Sequence, residues 1–421
     1  MIRDFLSVYL QPRILVILGL GFFSGLPLAL TASTLGVWLT TAGVSKSSIG
    51  LFAAISTPYA LKFLWAPLMD GTSFPLLSKL GRRRGWLVAT QLGLMMSIGF
   101  LGLTDPAANA WWTAFAALLV AICSASQDIV FDAYRVEILK PEQYGAGAAA
   151  AVMGYRFGMI VSAAVPLFLY GEIGWMLSYW SMAALMAVGI VIVLLSPEPE
   201  SSSLATRNTQ FTTFKAWVSD HVIAPFADFM TRAHWLAILL FILLYKLGDA
   251  FMGVMTNPFL IEIGFSGPQI ASIVKVYGVI ATIMGSVIGG SMVFRLGTVK
   301  TLWICGMVHT LTNLMFAELA RIGADINFLA LSISLENISG GMGTAAFVAF
   351  MSGLTHVRYT ATQYALLSSF AAFGRTWLST PAGWFAEALG WEYFFVLSAA
   401  LAVPGLITLW WLQRRMNLEK T

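Results

Sequence analysis

The chain has 421 residues, 58% hydrophobic and 10% charged, with a formal net charge of +4. An ordinary soluble domain is about 25% charged, so this composition, with a mean hydropathy of +0.80, excludes a soluble protein and places most of the chain in hydrocarbon. There only helices or a closed barrel satisfy the backbone, and non-alternating apolar runs of about 20 residues select helices.

In chain order the runs predict twelve spans, at about 14–40, 48–69, 86–104, 111–134, 146–170, 175–196, 234–260, 269–293, 301–320, 326–353, 362–386 and 391–412. The first is too long for a signal sequence and lacks a cleavable end, so it reads as an uncleaved span. Pro27 and Pro258, inside spans 1 and 7, predict bends. With both termini in the cytoplasm, the inner segments collect most of the basic residues, among them Arg82, Arg83, Arg84, Arg135, Arg414 and Arg415. The outer side receives Lys46 and Arg321, so the asymmetry sets the orientation. The basic charge belongs to these inner loops, and no nucleic-acid partner is expected.

The chain organises as a first set of six spans over 1–196, a polar cytoplasmic linker over 197–232 opening SPEPESSS, and a second set over 233–421. Span 5 opens QYGAGAAAAVMGYR at 143–156 and span 11 opens QYALLSSFAAFGR at 363–375. Glu172-Ile-Gly-Trp175 after the first is answered by Glu387-Ala-Leu-Gly-Trp391 after the second. This is an internal repeat. The arrangement, an all-α membrane protein of two pseudo-symmetric six-helix bundles, resembles the major facilitator transporters, in which substrate binds near the bilayer midplane between the halves.

Five cations lie inside spans: Lys62, Arg156, Lys246, Lys275 and Arg375. At about 1.5 Å per residue, Arg156 and Arg375 lie roughly 16–18 Å from the tyrosines that open their helices. That depth is near the midplane of a hydrocarbon layer about 30 Å thick, where an Arg costs about 2.5–3.5 kcal/mol on translocon scales. Guanidinium grips carboxylate or phosphate bidentately, so an anion in a central cavity is one partner; an internal pair with Asp128, Asp132 or Glu336 is the other. Lys246 and Asp249, three residues apart on one helix face, either neutralise each other or form a site where substrate or a proton competes. Asp132 and Arg135, with Asp70 and the Arg82–Arg83–Arg84 turn, are expected to form a cytoplasmic latch. Asp128 and Glu336 lie deeper and, with Asp249, are the candidate proton carriers. Cys123 and Cys305 have no metal spacing. His221, His234, His309 and His356 fall in no metal or catalytic pattern, so neither enzyme activity, metal nor cofactor is expected.

FSGLPLAL at 23–30, KFLWAPLMD at 62–70, GRRRGW at 81–86, CSASQDIVFDA at 123–133, GYRFGM at 154–159, LYKLGDAF at 244–251, ENISGGMGTAAFVAF at 336–350 and ATQYALLS at 361–368 together resemble the AmpG muropeptide permeases. The resemblance runs through nearly every span. It implies uptake of N-acetylglucosaminyl-1,6-anhydro-N-acetylmuramyl peptides across the bacterial inner membrane by proton symport, for peptidoglycan recycling, with a link to β-lactamase induction. For such a ligand, Arg156 and Arg375, assisted by Lys62, Lys246 or Lys275, are expected to hold peptide carboxylates, and Tyr155, Gln127 and Asn337 to hydrogen-bond the sugars. Gly71 stands where the family commonly has Arg, which predicts a weaker or differently paired latch. Some members carry further C-terminal spans beyond twelve. The alternatives are transport of another bulky anion, such as a siderophore or an acyl-CoA, and a sensor that binds muropeptide without moving it.

Overall fold

The computed structural model describes residues 8–44, 52–200 and 213–416, and its regular elements there are all helical. In order they are α1 (Pro12–Ala29), α2 (Leu35–Thr41), α3 (Thr57–Leu61), α4 (Ala66–Gly71), α5 (Arg82–Gly102), α6 (Ala110–Ile138), α7 (Tyr144–Leu195), α8 (Phe214–Val218) and α9 (Ala224–Met230). There follow α10 (Trp235–Leu244), α11 (Leu247–Glu262), α12 (Gly267–Ile270), α13 (Gly278–Leu296), α14 (Thr298–Ile322), α15 (Ile326–Gly353), α16 (Thr360–Leu378), α17 (Ala382–Ala400) and α18 (Val403–Met416). By length and composition, eight helices among the described residues are long and apolar enough to cross a membrane. A further crossing comes from α15 and the Val357–Leu378 segment if that pair, bent by 105°, is one span. The protein is a multi-pass membrane protein.

Several expected spans differ in detail, and proline and glycine account for it. The run at 48–69 is no single helix: its described part alternates 3-10 turns (Ala53–Ser56, Lys62–Leu64) with short α3 and α4, each carrying proline in its first turn. Pro27 leads into a π turn at Leu30–Thr34, the kind of local unwinding that bends a helix. α7 contains spans 5 and 6 joined at Gly174 (φ 79°, ψ 169°), and α17 carries the same turn at Gly390 (φ 74°, ψ 164°). Only glycine adopts this region readily, so the Gly-Trp echo in the sequence is one backbone turn used twice. Gly81 and Gly297 form a second matched pair, opening α5 and α14. Trp38 and Trp175 stack with ring centroids 5.6 Å apart, and Trp38 is buried.

The chain divides into two compact units, one of Met1–Lys140, Ala150–Phe226 and Thr355–Ser369, the other of Pro141–Ala149, Ala227–Leu354 and Phe370–Thr421. The first has a core of aliphatic and aromatic side chains including Phe23, Leu26, Leu94, Val120 and Tyr179. The second buries Phe251, Phe259, Phe316, Phe394 and Phe395. Glycine lets backbones approach closely inside each unit: a Cβ on Gly25 would lie 2.8 Å from Tyr155 Cα, and one on Gly285 2.8 Å from Ile338 Cα. These contacts seat the segments that carry Arg156 and Glu336.

Candidate functional site

In the first unit the charged residues form two clusters. Around Asp70, Arg83 is fully buried and places its NH2 group 2.6 Å from Asp70 Oδ1 and 2.5 Å from Glu137 Oε1. Arg82 donates to the Asp70 carbonyl at 2.6 Å. The same Asp70 carboxylate accepts the amides of Ala361 (3.1 Å) and Thr362 (2.7 Å), the first turn of α16, where a negative charge meets unsatisfied N–H groups. Glu198 accepts the amides of Arg83 and Arg84, each at 2.9 Å, so it caps α5 in the same manner. Arg84 reaches the carbonyls of Val193 and Leu194 at the end of α7.

Asp70 lies beyond the second apolar run, and its ionisation is set by opposing influences. Burial alone pushes its carboxyl up, but the Arg83 and Arg82 charges and the hydrogen bonds from Arg83 and Thr362 bring it below its ordinary value. Gly71 next to it faces the linker. A Cβ there would fall 2.7 Å from Cγ of His221, whose ring stacks on Trp217. Gln363 donates to the Pro225 carbonyl of the linker at 3.1 Å, and Arg358 lies 4.0 Å from Asp220.

The second cluster lies along α6. Asp132 is shared between Arg135 (3.3 Å) and Lys62 (3.8 Å), and the Arg135 guanidinium lies over the Tyr364 ring at 5.1 Å. Lys62, expected with the substrate group, therefore sits with two residues expected in the latch. Asp128, one turn before Asp132, accepts a 2.5 Å hydrogen bond from Ser24. Gln127 is 1% exposed, and among the described residues neither atom of its side-chain amide has a hydrogen-bond partner; an amide left so in an apolar setting costs about 1–3 kcal/mol. Tyr155 and Arg156 are half-buried on α7.

In the second unit, Lys246 Nζ lies 2.8 Å from Asp249 Oδ2, and His309 Nε2 pairs with Asp249 Oδ1. His309 Nδ1 is 2.7 Å from Ser339 Oγ. Glu336 accepts from Asn337 Nδ2 at 2.7 Å, and the side-chain Oδ1 of Asn337 accepts from Thr282 Oγ1 of α13 at 2.8 Å. Asn337 thus orients Glu336 and ties α13 to α15. Arg375 is exposed on α16, and no acidic side chain among the described residues pairs with it. Lys275 falls in a π-helical turn, Ala271–Tyr277, and its side chain lies outside the described residues.

Two of the acidic groups here, Glu137 and Glu198, had no part in the sequence reading, and His309 entered it only as a histidine outside any metal or catalytic pattern. Glu137 follows Arg135 in the YRVE stretch, and its nearness to Arg83 depends on α5 packing against α6, which no local pattern reports. Glu198 sits in the polar opening of the linker, where nothing local marks it as a helix cap. His309 had one legible signal, a histidine inside an apolar run.

These features define a membrane transporter. The Major Facilitator Superfamily model matches residues 17–317. The solved structure of the E. coli fucose:proton symporter superposes with a TM-score of 0.70 at 13% identity, over 96% of this chain and 98% of that one, which shows the fold. The anhydromuropeptide permease of Escherichia coli (strain K12) is 42% identical over 423 residues, covering 100% of this chain and 83% of the relative. An AmpG transporter of Rickettsia conorii is 33% identical, covering 98% of this chain and 99% of that one. The chain belongs to the AmpG permease family of the major facilitator superfamily, a family of transporters and not of enzymes.

Proposed function

We propose that the protein imports anhydromuropeptides across the bacterial inner membrane by proton symport and alternating access, with both termini in the cytoplasm and two six-span halves joined by the 197–232 linker. The observation that carries this reading is the 42% identity to an anhydromuropeptide permease over the whole chain. Two features of the site support it. Among the described residues, Arg375 is a cation in an apolar helix with no carboxylate paired to it, and Gln127 is a buried amide with no hydrogen-bond partner. A muropeptide brings both missing chemistries, peptide carboxylates for arginine and sugar hydroxyls for an amide.

In this account Arg156 and Arg375 engage the peptide carboxylates, while Gln127 and Tyr155 meet the sugars. Lys62, paired with Asp132, and Lys246, paired with Asp249, act with their carboxylates as ion pairs that substrate or proton reorganises; Lys275 assists the arginines. Asp128, Glu336 and Asp249 belong to the proton path. The Asp70–Arg83–Glu137 cluster, with Arg82, Arg84, Asp132 and Arg135, holds the first turn of α16 and releases it once per transport cycle.

Arg156→Ala and Arg375→Ala, expressed in cells without their own permease, test the substrate assignment. Loss of a buried charge-assisted pair is worth about 2–5 kcal/mol, so uptake of radiolabelled anhydromuropeptide at subsaturating concentration should fall on the order of 30-fold or more in each. Wild-type uptake in both, at normal protein yield, removes the arginines from the site. Competition by a siderophore or an acyl-CoA at comparable concentration points to the other anion classes instead.

A further inference from the structure

The cluster in the second unit carries an inference about which group moves the proton, and it rests on the proton-symport reading above. Asp249 is held from two sides, Lys246 Nζ on Oδ2 and His309 Nε2 on Oδ1. Lys246 also approaches the Gly340 carbonyl at 3.4 Å. With His309 neutral and both acids ionised, the site holds one ammonium against the two carboxylates of Asp249 and Glu336, an excess of one negative charge in an apolar helix bundle. One proton on His309 removes that excess, and uncompensated charge is costly at this depth.

The hydrogen bonds around the ring permit both states. Ser339 Oγ lies 2.7 Å from His309 Nδ1 and 2.9 Å from the Glu336 carbonyl. A hydroxyl has one proton to give and lone pairs to receive with. When Ser339 donates to Nδ1, the ring is neutral and its Nε2–H faces Asp249. When Ser339 turns its proton to the Glu336 carbonyl, its oxygen accepts from Nδ1–H and the ring is an imidazolium. Thr312 is occupied meanwhile, donating to the His309 carbonyl at 2.9 Å. Gain or loss of one proton therefore asks for the rotation of one hydroxyl at Nδ1, while Nε2 keeps its close contact with Asp249 Oδ1. Neither acid has such a device: both Asp249 oxygens face bases, and Glu336 accepts from Asn337.

The ring has access to a small cavity lined by Tyr245, Lys246, Asp249, Cys305, His309 and Ser339. Gly343 of the ISGGMG stretch lines it, and a Cβ there would lie 3.6 Å from Lys246 Nζ; one on Gly340 would lie 3.4 Å from His309 Cε1. The titratable and charged groups around the ring are Asp249 and Lys246 at the start of α11, Glu336 from α15, Cys305 from α14 itself and Tyr245 at the end of α10. The Tyr245 hydroxyl is committed to the Leu302 carbonyl at 3.1 Å.

We propose that His309 is the group of this cluster that takes up the proton, with Asp249 and Lys246 as the charges it is paired against along the proton path and Ser339 as the hydroxyl that switches with its charge. Histidine is the side chain suited to changing charge near neutral pH.

The test uses the full-length protein in proteoliposomes with N-acetylglucosaminyl-1,6-anhydro-N-acetylmuramyl tripeptide as probe. With one proton per substrate, an inward gradient of one pH unit should drive about tenfold accumulation in wild type. His309→Gln is expected to equilibrate the probe without accumulating it, and its residual exchange should be flat between pH 5.5 and pH 8.5, roughly the range over which histidine changes charge. Accumulation by His309→Gln at the wild-type level, with the wild-type pH profile, overturns the proposal. If wild type itself fails to accumulate, the symport reading falls and takes this inference with it. Should His309→Gln not fold, Ser339→Ala decides: losing the acceptor of a charge-assisted bond should move half-maximal exchange to lower pH, and an unmoved profile overturns the assignment.

Discussion

At Asp70 a single carboxylate serves a guanidinium and two helix amides at once, which makes it the residue whose substitution has the sharpest consequence. Asp70→Asn keeps the shape and leaves Arg83 buried with one acid fewer. Breaking a buried pair from one side costs about 3–5 kcal/mol, so the variant should unfold at lower temperature in detergent. The pH dependence follows from the lowered Asp70 value. A carboxyl lowered on folding stabilises the folded state above its unfolded value of about 3.9, and that contribution is lost as pH falls through the folded value. Melting curves on acidification below about pH 4 should therefore drop more steeply for wild type than for Asp70→Asn. Equal slopes contradict the account of Asp70.

Among elements, the two inter-span turns and the linker helices show what the sequence discloses and what it hides. The Gly-Trp echo was legible because a turn of this conformation requires glycine, and Gly174 and Gly390 meet that demand with nearly the same angles. Alanine at either position should cost about 1–3 kcal/mol, read as a lower unfolding temperature. The second apolar run misled, since hydropathy sees its length while Pro58 and Pro67 decide how the backbone runs. At Gly71 the absence of a side chain was visible but not its use, because the His221 ring that fills the space comes from about 150 residues away in the chain. Gly71→Arg would overpack that seat at about 1–3 kcal/mol. It should raise protease cleavage within α8 and α9; unchanged cleavage would mean that His221 can move aside freely.

For the whole molecule, the repeat at the two Gln-Tyr openings was readable in the sequence, and the contacts that regroup two short segments were not. Residues 141–149 group with the second unit and residues 355–369 with the first. Gly145 packs against Gly290 and Val293 inside one unit, while Asp70, Arg135 and Pro225 hold Ala361–Tyr364 inside the other. Contacts so distant in sequence leave no periodicity behind. The candidate site divides in the same way. Lone ionisable residues in apolar runs, such as Lys246, Asp249 and Glu336, announce themselves, whereas the pairing of His309 with Asp249 and with Ser339 is set by helix packing. The most direct measurement is accumulation of radiolabelled anhydromuropeptide in proteoliposomes with and without an inward proton gradient. Accumulation against its own gradient only when the proton gradient is present is the result this account predicts; binding without accumulation, or accumulation indifferent to the proton gradient, would contradict it.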